Sequence, residues 1–292
     1  MEKKRNLLPY GLILLQCLFY GFGDPISKAA YETVQVGSLL TVRYAIAFAF
    51  LMLLGGKTIV RELKKGEWYS ALVPSVCIAL TYIISNFALK LSAATSVAFL
   101  RSLPNVMTPL LAFVVFRRRL RPAQMVIPVV SVVGLYLLCA HGGLSGFGLG
   151  EVLALLSALL MSAALLLGEK ALSKVSAMTL TAMQALVSTV LAAISALLFE
   201  GGLHLSGAGI TVWGIILYLA VTCTALGFLL QNYALRSISA KSVALLQCVC
   251  PVLTAVFSFL LLHEHLTPAG LIGSGIILAC VAAEILTEKQ TK

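Results

Sequence analysis

Little in this sequence can face water. Charged side chains are 11% of the 292 residues, where a soluble domain carries about a quarter. Hydrophobic residues are 60% and mean hydropathy is +1.01, so the natural solvent of the chain is lipid. Carboxylates are scarcest of all. Asp24, Glu32, Glu151, Glu169, Glu200, Glu264 and Glu284 all read as lying at or near helix ends. The lack of a mid-helix acid disfavours a simple polycation–proton exchanger, which needs one buried carboxylate to hold either ion. Aromatics are only 8%, which disfavours an aromatic-lined multidrug site. No C-x-x-C and no Cys/His cluster at metal spacing occurs. The seven cysteines lie in apolar runs and read as small packing residues. No N-x-S/T acceptor is present.

Soluble-enzyme motifs are also missing. Gly55-Gly56-Lys57-Thr58 ends like a phosphate-binding loop, but Leu51 stands where the first glycine is required. His263-Glu264-His265 is not H-E-x-x-H, and its two histidines fall on different helix faces. No G-x-S-x-G appears. The expectation is no enzyme, no metal and no cofactor, with proton or ion coupling left open.

What the chain does contain is a repeat. The stretch from Asn86 to Pro122 slides onto Asn232 to Pro268 by 146 positions without a gap. Asn86, Ala88, Leu89 and Ala94 fall on Asn232, Ala234, Leu235 and Ala240. Ser96-Val97-Ala98 and Leu100 fall on Ser242-Val243-Ala244 and Leu246. Thr108, Phe113, Leu120 and Pro122 fall on Thr254, Phe259, Leu266 and Pro268. Apolar bias would supply roughly three or four matches in such a window, and would not align Asn, Thr and Pro.

A spanning helix needs about 20 mostly apolar residues. Ten such runs appear, near 7–24, 36–55, 68–90, 94–116, 122–141, 148–170, 177–199, 210–235, 239–262 and 267–287. The expected fold is all-α and integral to the membrane, with residues 1–146 as one five-helix unit and 147–292 as another. The first run is too long for a signal peptide and lacks a convincing cleavage site, so it reads as a retained helix. With the N-terminus inside, 17 of the 21 basic residues fall on the inner side and two, Lys28 and Lys90, on the outer. Both termini are therefore expected in the cytoplasm, in the inner or plasma membrane. The net charge of +10 becomes a topology and anionic-lipid signal rather than a nucleic-acid one. Five helices per unit is odd, so the second copy enters from the opposite face. That is an inverted repeat, which presents one central site to either side in turn.

Intramembrane polar groups cost free energy unless partnered or facing a cavity. Arg43 and Arg101 each lie about seven residues, or about 10 Å, into a helix that starts outside. Either they pair with Asp24, Glu151 or Glu264, or they receive a substrate anion. Gln247 falls on Arg101 in the repeat and Gln184 roughly on Arg43, so the four are a candidate pocket lining. Tyr20, Tyr82, Asn105 and Trp213 are candidate contacts for the rest of a substrate. Gln16, Tyr20, Tyr82, Asn86, Asn105, Gln231 and Asn232 can equally bridge helices. Pro104 and Pro251 are expected bends. Ala154, Ala158 and Ser162, and Ala269 and Gly273, read as packing seams.

Ten helices in two inverted fives resemble the drug/metabolite transporter superfamily. Phe259 to Ala282 is similar to the end of the repeat in its EamA-like branch. There a Glu follows the fourth helix of the repeat and a glycine-containing helix comes next. Glu264, Pro268, Gly273 and Ala279 match that pattern, and Arg43-Tyr44 resembles the branch's second-helix Arg–aromatic pair. The first copy departs from it, with Arg118 in place of the Glu, Pro128 near the Gly position, and Pro104 one position off the register of Pro251. The resemblance implies a carrier of small metabolites, often an amino-acid exporter, that does not hydrolyse ATP. The expected function is secondary transport of a small amino acid or related carboxylate, with Glu264 a contact that changes in the cycle. A multidrug or cationic-metabolite carrier is the first rival, and a structural subunit of a membrane complex the second. Expected partners are lipid and the solute, with the chain a monomer or homodimer.

Overall fold

The computed structural model describes residues 7–91, 94–117, 125–139, 148–205, 208–262 and 267–287. Every regular element among them is helical. The first half holds α1 (Leu8–Tyr31), α2 (Val36–Lys64), α3 (Tyr69–Leu91), α4 (Ala94–Arg101), α5 (Pro104–Phe116) and α6 (Val126–Cys139). The second holds α7 (Leu149–Ala171), α8 (Ala177–Glu200), α9 (Ile210–Tyr218), a π-helical segment (Leu219–Leu226), α10 (Gly227–Leu235), α11 (Ala240–Leu246), α12 (Val249–Leu262) and α13 (Pro268–Thr287). Seven helical runs among the described residues are long and apolar enough to cross a bilayer. The others at expected span positions are α1, the α4–α5 pair and α6.

Two expectations change in detail. The first span, read as ending near residue 24, continues as α1 through Pro25 to Tyr31. Asp24 is therefore inside a helix and not at its end. Proline removes one backbone donor without forbidding a membrane helix, because local bonds re-satisfy the freed groups. Likewise α2 does not stop near residue 55. It passes a non-helical Gly55 (φ −136°, ψ 16°) and runs on to Lys64, leaving Lys57 exposed inside a helix.

The helices are interrupted near both expected bends. Ser102 and Leu103 separate α4 from α5, and Gln247 and Cys248 separate α11 from α12. The two breaks lie one residue off the 146-residue register. Pro104 opens α5, where its missing N–H would have had no helical partner. Pro251 sits in the first turn of α12.

The halves pack through each other. Helix α2 lies against α8 and α6 against α13, while α3 meets both α7 and α8. Several of these contacts have a parallel when the helices of the two halves are matched in chain order. The α3–α7 contact becomes α1–α10, α3–α8 becomes α2 on the π segment, and α5–α7 becomes α1–α12. Helices α2 and α8 are antiparallel, and each caps the other. The Glu200 carboxylate at the end of α8 accepts the Gly37 N–H at 2.8 Å and the Ser38 N–H at 3.2 Å at the start of α2. Glu62 near the end of α2 accepts the Ser176 N–H at 2.9 Å at the start of α8. These bonds satisfy donors a helix cannot satisfy itself, and they place negative charge at its positive pole. Helices α6 and α13 cross at Gly134 and Gly273. A Cβ on Gly134 would lie 2.9 Å from the Gly273 carbonyl, so only glycine allows the approach. The expected Gly273 seam is thus one of the main joints between the halves. Ala154, Ala158 and Ser162 are fully buried, as a seam requires.

One end of the bundle gathers cations. Glu62 meets Ser176, Lys174 lies 5.4 Å from the centre of the Tyr69 ring, Glu169 accepts the Ala240 N–H, and Lys241 pairs with Glu284 at 3.2 Å. These contacts bring Arg61, Lys64, Lys65, Lys170, Lys174, Arg236 and Lys241 to the same end.

Candidate functional site

The site is easiest to read along α1. Tyr10, Ile13, Cys17, Tyr20 and Asp24 recur every three or four residues and share one helical face. The lipid face is elsewhere, on exposed Leu8, Leu15 and Leu18. Along the inner face the accessibility changes steadily. Tyr10 is 2% exposed, and Ile13 and Cys17 are 0%. Tyr20 is half-buried and Asp24 is exposed. An exposed residue on the core face, walled by protein, faces an open cleft between the halves.

Glycines let the cleft walls approach. A Cβ on Gly21 would sit 2.6 Å from Leu253 Cβ of α12, and one on Gly23 2.7 Å from Cys223 Sγ of the π segment. Across these contacts Thr254 Oγ1 of α12 donates to Asp24 Oδ2 at 3.3 Å. The electrostatic fields of Arg101 and, more weakly, Arg43 reach the same carboxylate. No ion pair closes between Asp24 and either guanidinium among the described residues. Arg43 is held by its Nε, which donates to Thr224 Oγ1 at 2.7 Å, and its guanidinium carbon lies 5.8 Å from the Tyr44 ring centre. Thr224 belongs to the π-helical segment, whose wider turn re-aims side chains and recurs at functional sites.

Below Asp24 the cleft narrows onto hydrogen bonds. Gln16 Nε2 donates to Tyr20 Oη at 3.3 Å. Tyr82 stacks on Phe228 with ring centres 5.7 Å apart. Gln16 Nε2 also donates to Gln231 Oε1 at 3.0 Å. Gln247 Nε2 donates to Gln231 Oε1 at 2.7 Å and to Gln16 Oε1 at 3.2 Å. This trio ties α1, α10 and the α11–α12 break together. Beneath it the packing is dry: Tyr10, Ile13, Cys17, Leu165, Leu235, Val243 and Leu246 share one apolar cluster.

The residues named from sequence therefore separate. Arg43, Arg101, Tyr20 and Tyr82 surround the open cleft, and Gln247 lies at its floor. Gln184 is elsewhere. It is 2% exposed and accepts from Asn232 Nδ2 at 2.8 Å, while the same amide donates to Thr181 Oγ1 at 2.9 Å, which joins α8 to α10. Asn105 is fully buried, donating to Ser131 Oγ at 2.6 Å between α5 and α6. Trp213 is 42% exposed on the outer face of α9, with Ile210 and Leu217, away from the others. Glu264 lies outside the described residues. Sequence reasoning named Asp24 only as a partner for the arginines, and missed Thr224, Thr254 and the pairing of Gln16 with Gln231. The three-and-four spacing from Tyr10 to Asp24 was a usable signal. The π segment had none. A second crevice, between α2, α3 and α8, is lined by Val36, Gly37, Leu40, Ile83, Asn86 and Ala192. Tyr31 Oη donates to Asn86 Oδ1 there at 3.4 Å. All seven cysteines are free, and four of them are buried.

The model of the EamA-like transporter family matches the chain twice, over residues 7–140 and 148–283. Two proteins of Archaeoglobus fulgidus, each named an uncharacterized transporter, are similar over most of their length. One is 27% identical over 272 residues, covering 91% of this chain and 89% of its own. The other is 25% identical over 279 residues, covering 95% and 85%. A solved crystal structure superposes with a TM-score of 0.79 at 18% identity, over 95% of this chain and 96% of that one, a likeness of fold.

Proposed function

This chain belongs to the EamA-like transporter family, and from that premise we propose that it is a secondary transporter of a small amino acid or related carboxylate, working by alternating access. The observation that carries the reading is the α1 face. It runs from a dry, sealed end to an exposed Asp24 flanked by two guanidinia. A cleft closed at one end and polar at the other is what a carrier holds between its two access states.

Two further observations support an inverted pair of five-helix units, 1–146 and 147–292. The family model matches once on each side of that boundary. Helices α2 and α8, counterparts in the two units, are antiparallel and cap each other reciprocally. The cations gathered at the sealed end support a cytoplasmic position for that end under the positive-inside rule. The open cleft then faces outward, and both termini are cytoplasmic. We read the direction as export, across the cell membrane.

Asp24 alone would favour a cationic metabolite. Two guanidinia share its cleft and leave it net positive, which favours a solute carrying an anion. A structural subunit would have no use for an open polar cleft. The test is a thermal-shift screen of amino acids, organic acids and quaternary amines on the purified protein, repeated on Arg101→Ala and Arg43→Ala. Stabilisation by carboxylates that Arg101→Ala abolishes supports the reading. Stabilisation by quaternary amines alone, unaffected by either change, sinks it.

A further inference from the structure

We propose that Asp24 is an amine-binding residue, so that the cleft selects small zwitterions over acids that lack the amine. The inference rests on the transport reading above and adds to it a second pole. The charged groups whose fields reach Asp24 come from the elements around it: Arg101 from α4 and, more weakly, Arg43 from α2. Cys223 of the π segment packs beside Asp24, against Gly23.

Three charges share one water-accessible cleft, yet the carboxylate forms no ion pair with either guanidinium among the described residues. Its Oδ2 is held by a neutral hydroxyl from the other half of the chain, Thr254. Arg43 is turned toward Thr224. Had the carboxylate served only to neutralise the arginines, a bidentate pair would be the strong arrangement. Separated opposite charges instead match a ligand that carries both signs. An ammonium supplies three donors to a carboxylate, and a guanidinium fork takes a carboxylate in its plane. The ammonium of an α-amino acid belongs at Asp24 and its carboxylate at Arg101.

The placement also bears on transport. Asp24 stands on α1 of the first half and its hydroxyl partner on α12 of the second, beside the glycine contacts where these helices approach most closely. A ligand on Asp24 therefore touches the joint between the halves.

The experiment uses the full chain and matched pairs of probes: alanine with propionate, serine with 3-hydroxypropionate, and glutamate with glutarate. Binding is read by thermal shift, and transport by counterflow in proteoliposomes. The wild type should prefer the amino acid in at least one pair by about tenfold or more, since a site built to bond a donor rejects the analogue lacking it. Asp24→Asn should erase that preference while the acid binds as well as before, or better. Asp24→Glu should restore part of it, which separates a binding role from a folding defect. An amino-acid preference that survives Asp24→Asn overturns the proposal. Equal binding of both members of every pair by the wild type also overturns it, while leaving the carboxylate carrier intact. If no acid of either kind binds the wild type, the transport reading falls and takes this one with it.

Discussion

The two ends of α1 are built from the same helical face and do opposite things. At one end Tyr10, Ile13 and Cys17 press into an apolar cluster with no room for water. At the other, Tyr20 and Asp24 stand open beside arginines and hydroxyls. Burying apolar surface against the partner half stabilises the closed end without any directional bond. Charges in the open half oppose a similar collapse, because losing water would strand them. A solute that brings its own counter-charges would remove that obstacle. The difference teaches that the two ends are closed by different physics, one by packing and the other by its ligand.

The comparison can be broken in several ways. The severest is at the joint both ends depend on. Gly273→Leu should leave little folded protein, because its side chain would meet the Gly134 carbonyl and Leu138. Overpacking of this kind costs about 1–3 kcal/mol or more, and size-exclusion profiles and melting in detergent would register it. A Gly273→Leu variant that melts like the wild type would show the joint to be looser than described.

A second measurement compares the ends directly. A cysteine placed at Thr254 should react with a charged thiol reagent at least about tenfold faster than native Cys17, because access governs thiol reactivity. Site-resolved mass spectrometry would give both rates in one sample. Equal rates would abolish the contrast between open and sealed.

The third removes the floor between them. Gln247→Leu leaves Gln16 and Gln231 short of a partner, a loss of about 1–3 kcal/mol for a buried polar group. The expected result is a lower melting temperature together with faster labelling of Cys17. A drop in stability with no change in labelling would mean that the glutamines bind helices together but do not separate the two ends.

The smallest effect concerns the reciprocal caps. Glu200→Gln and Glu62→Gln should each cost about 1 kcal/mol, the usual value of a helix-terminal cap and its dipole interaction. Near-equal losses in thermal unfolding would fit halves of equal weight. A loss at only one site would show that the two ends of the α2–α8 pair are held differently.

Much of this was legible in the residues. Pro104 and Pro251 pointed to the neighbourhood of the two helix breaks, which end immediately before Pro104 and three residues before Pro251. Arg43 and Arg101 stood out because cations inside apolar runs need a reason. Other features were not legible, for identifiable reasons. Hydropathy weighs Asp24 and Pro25 as a helix end, whereas tertiary contacts carry α1 past them. Gln184 and Gln247 look alike in sequence, and only neighbours decide that one bridges α8 to α10 while the other closes the cleft floor. Trp213 is an apolar ring in an apolar run. Which side of α9 it occupies follows from Val212 and Ile216 facing the core. Nothing in Leu219 to Leu226 announces a π turn, yet that turn presents Thr224 to Arg43.

The residues alone settled a lipid-dwelling, helical chain, because composition and run length are properties of the string. Which end opens, and which polar groups share the opening, was decided by the packed molecule. Those outcomes depend on where antiparallel helices meet at Gly134 and Gly273 and on how far each face of α1 lies from its neighbours, and distances between remote residues are not written in their order.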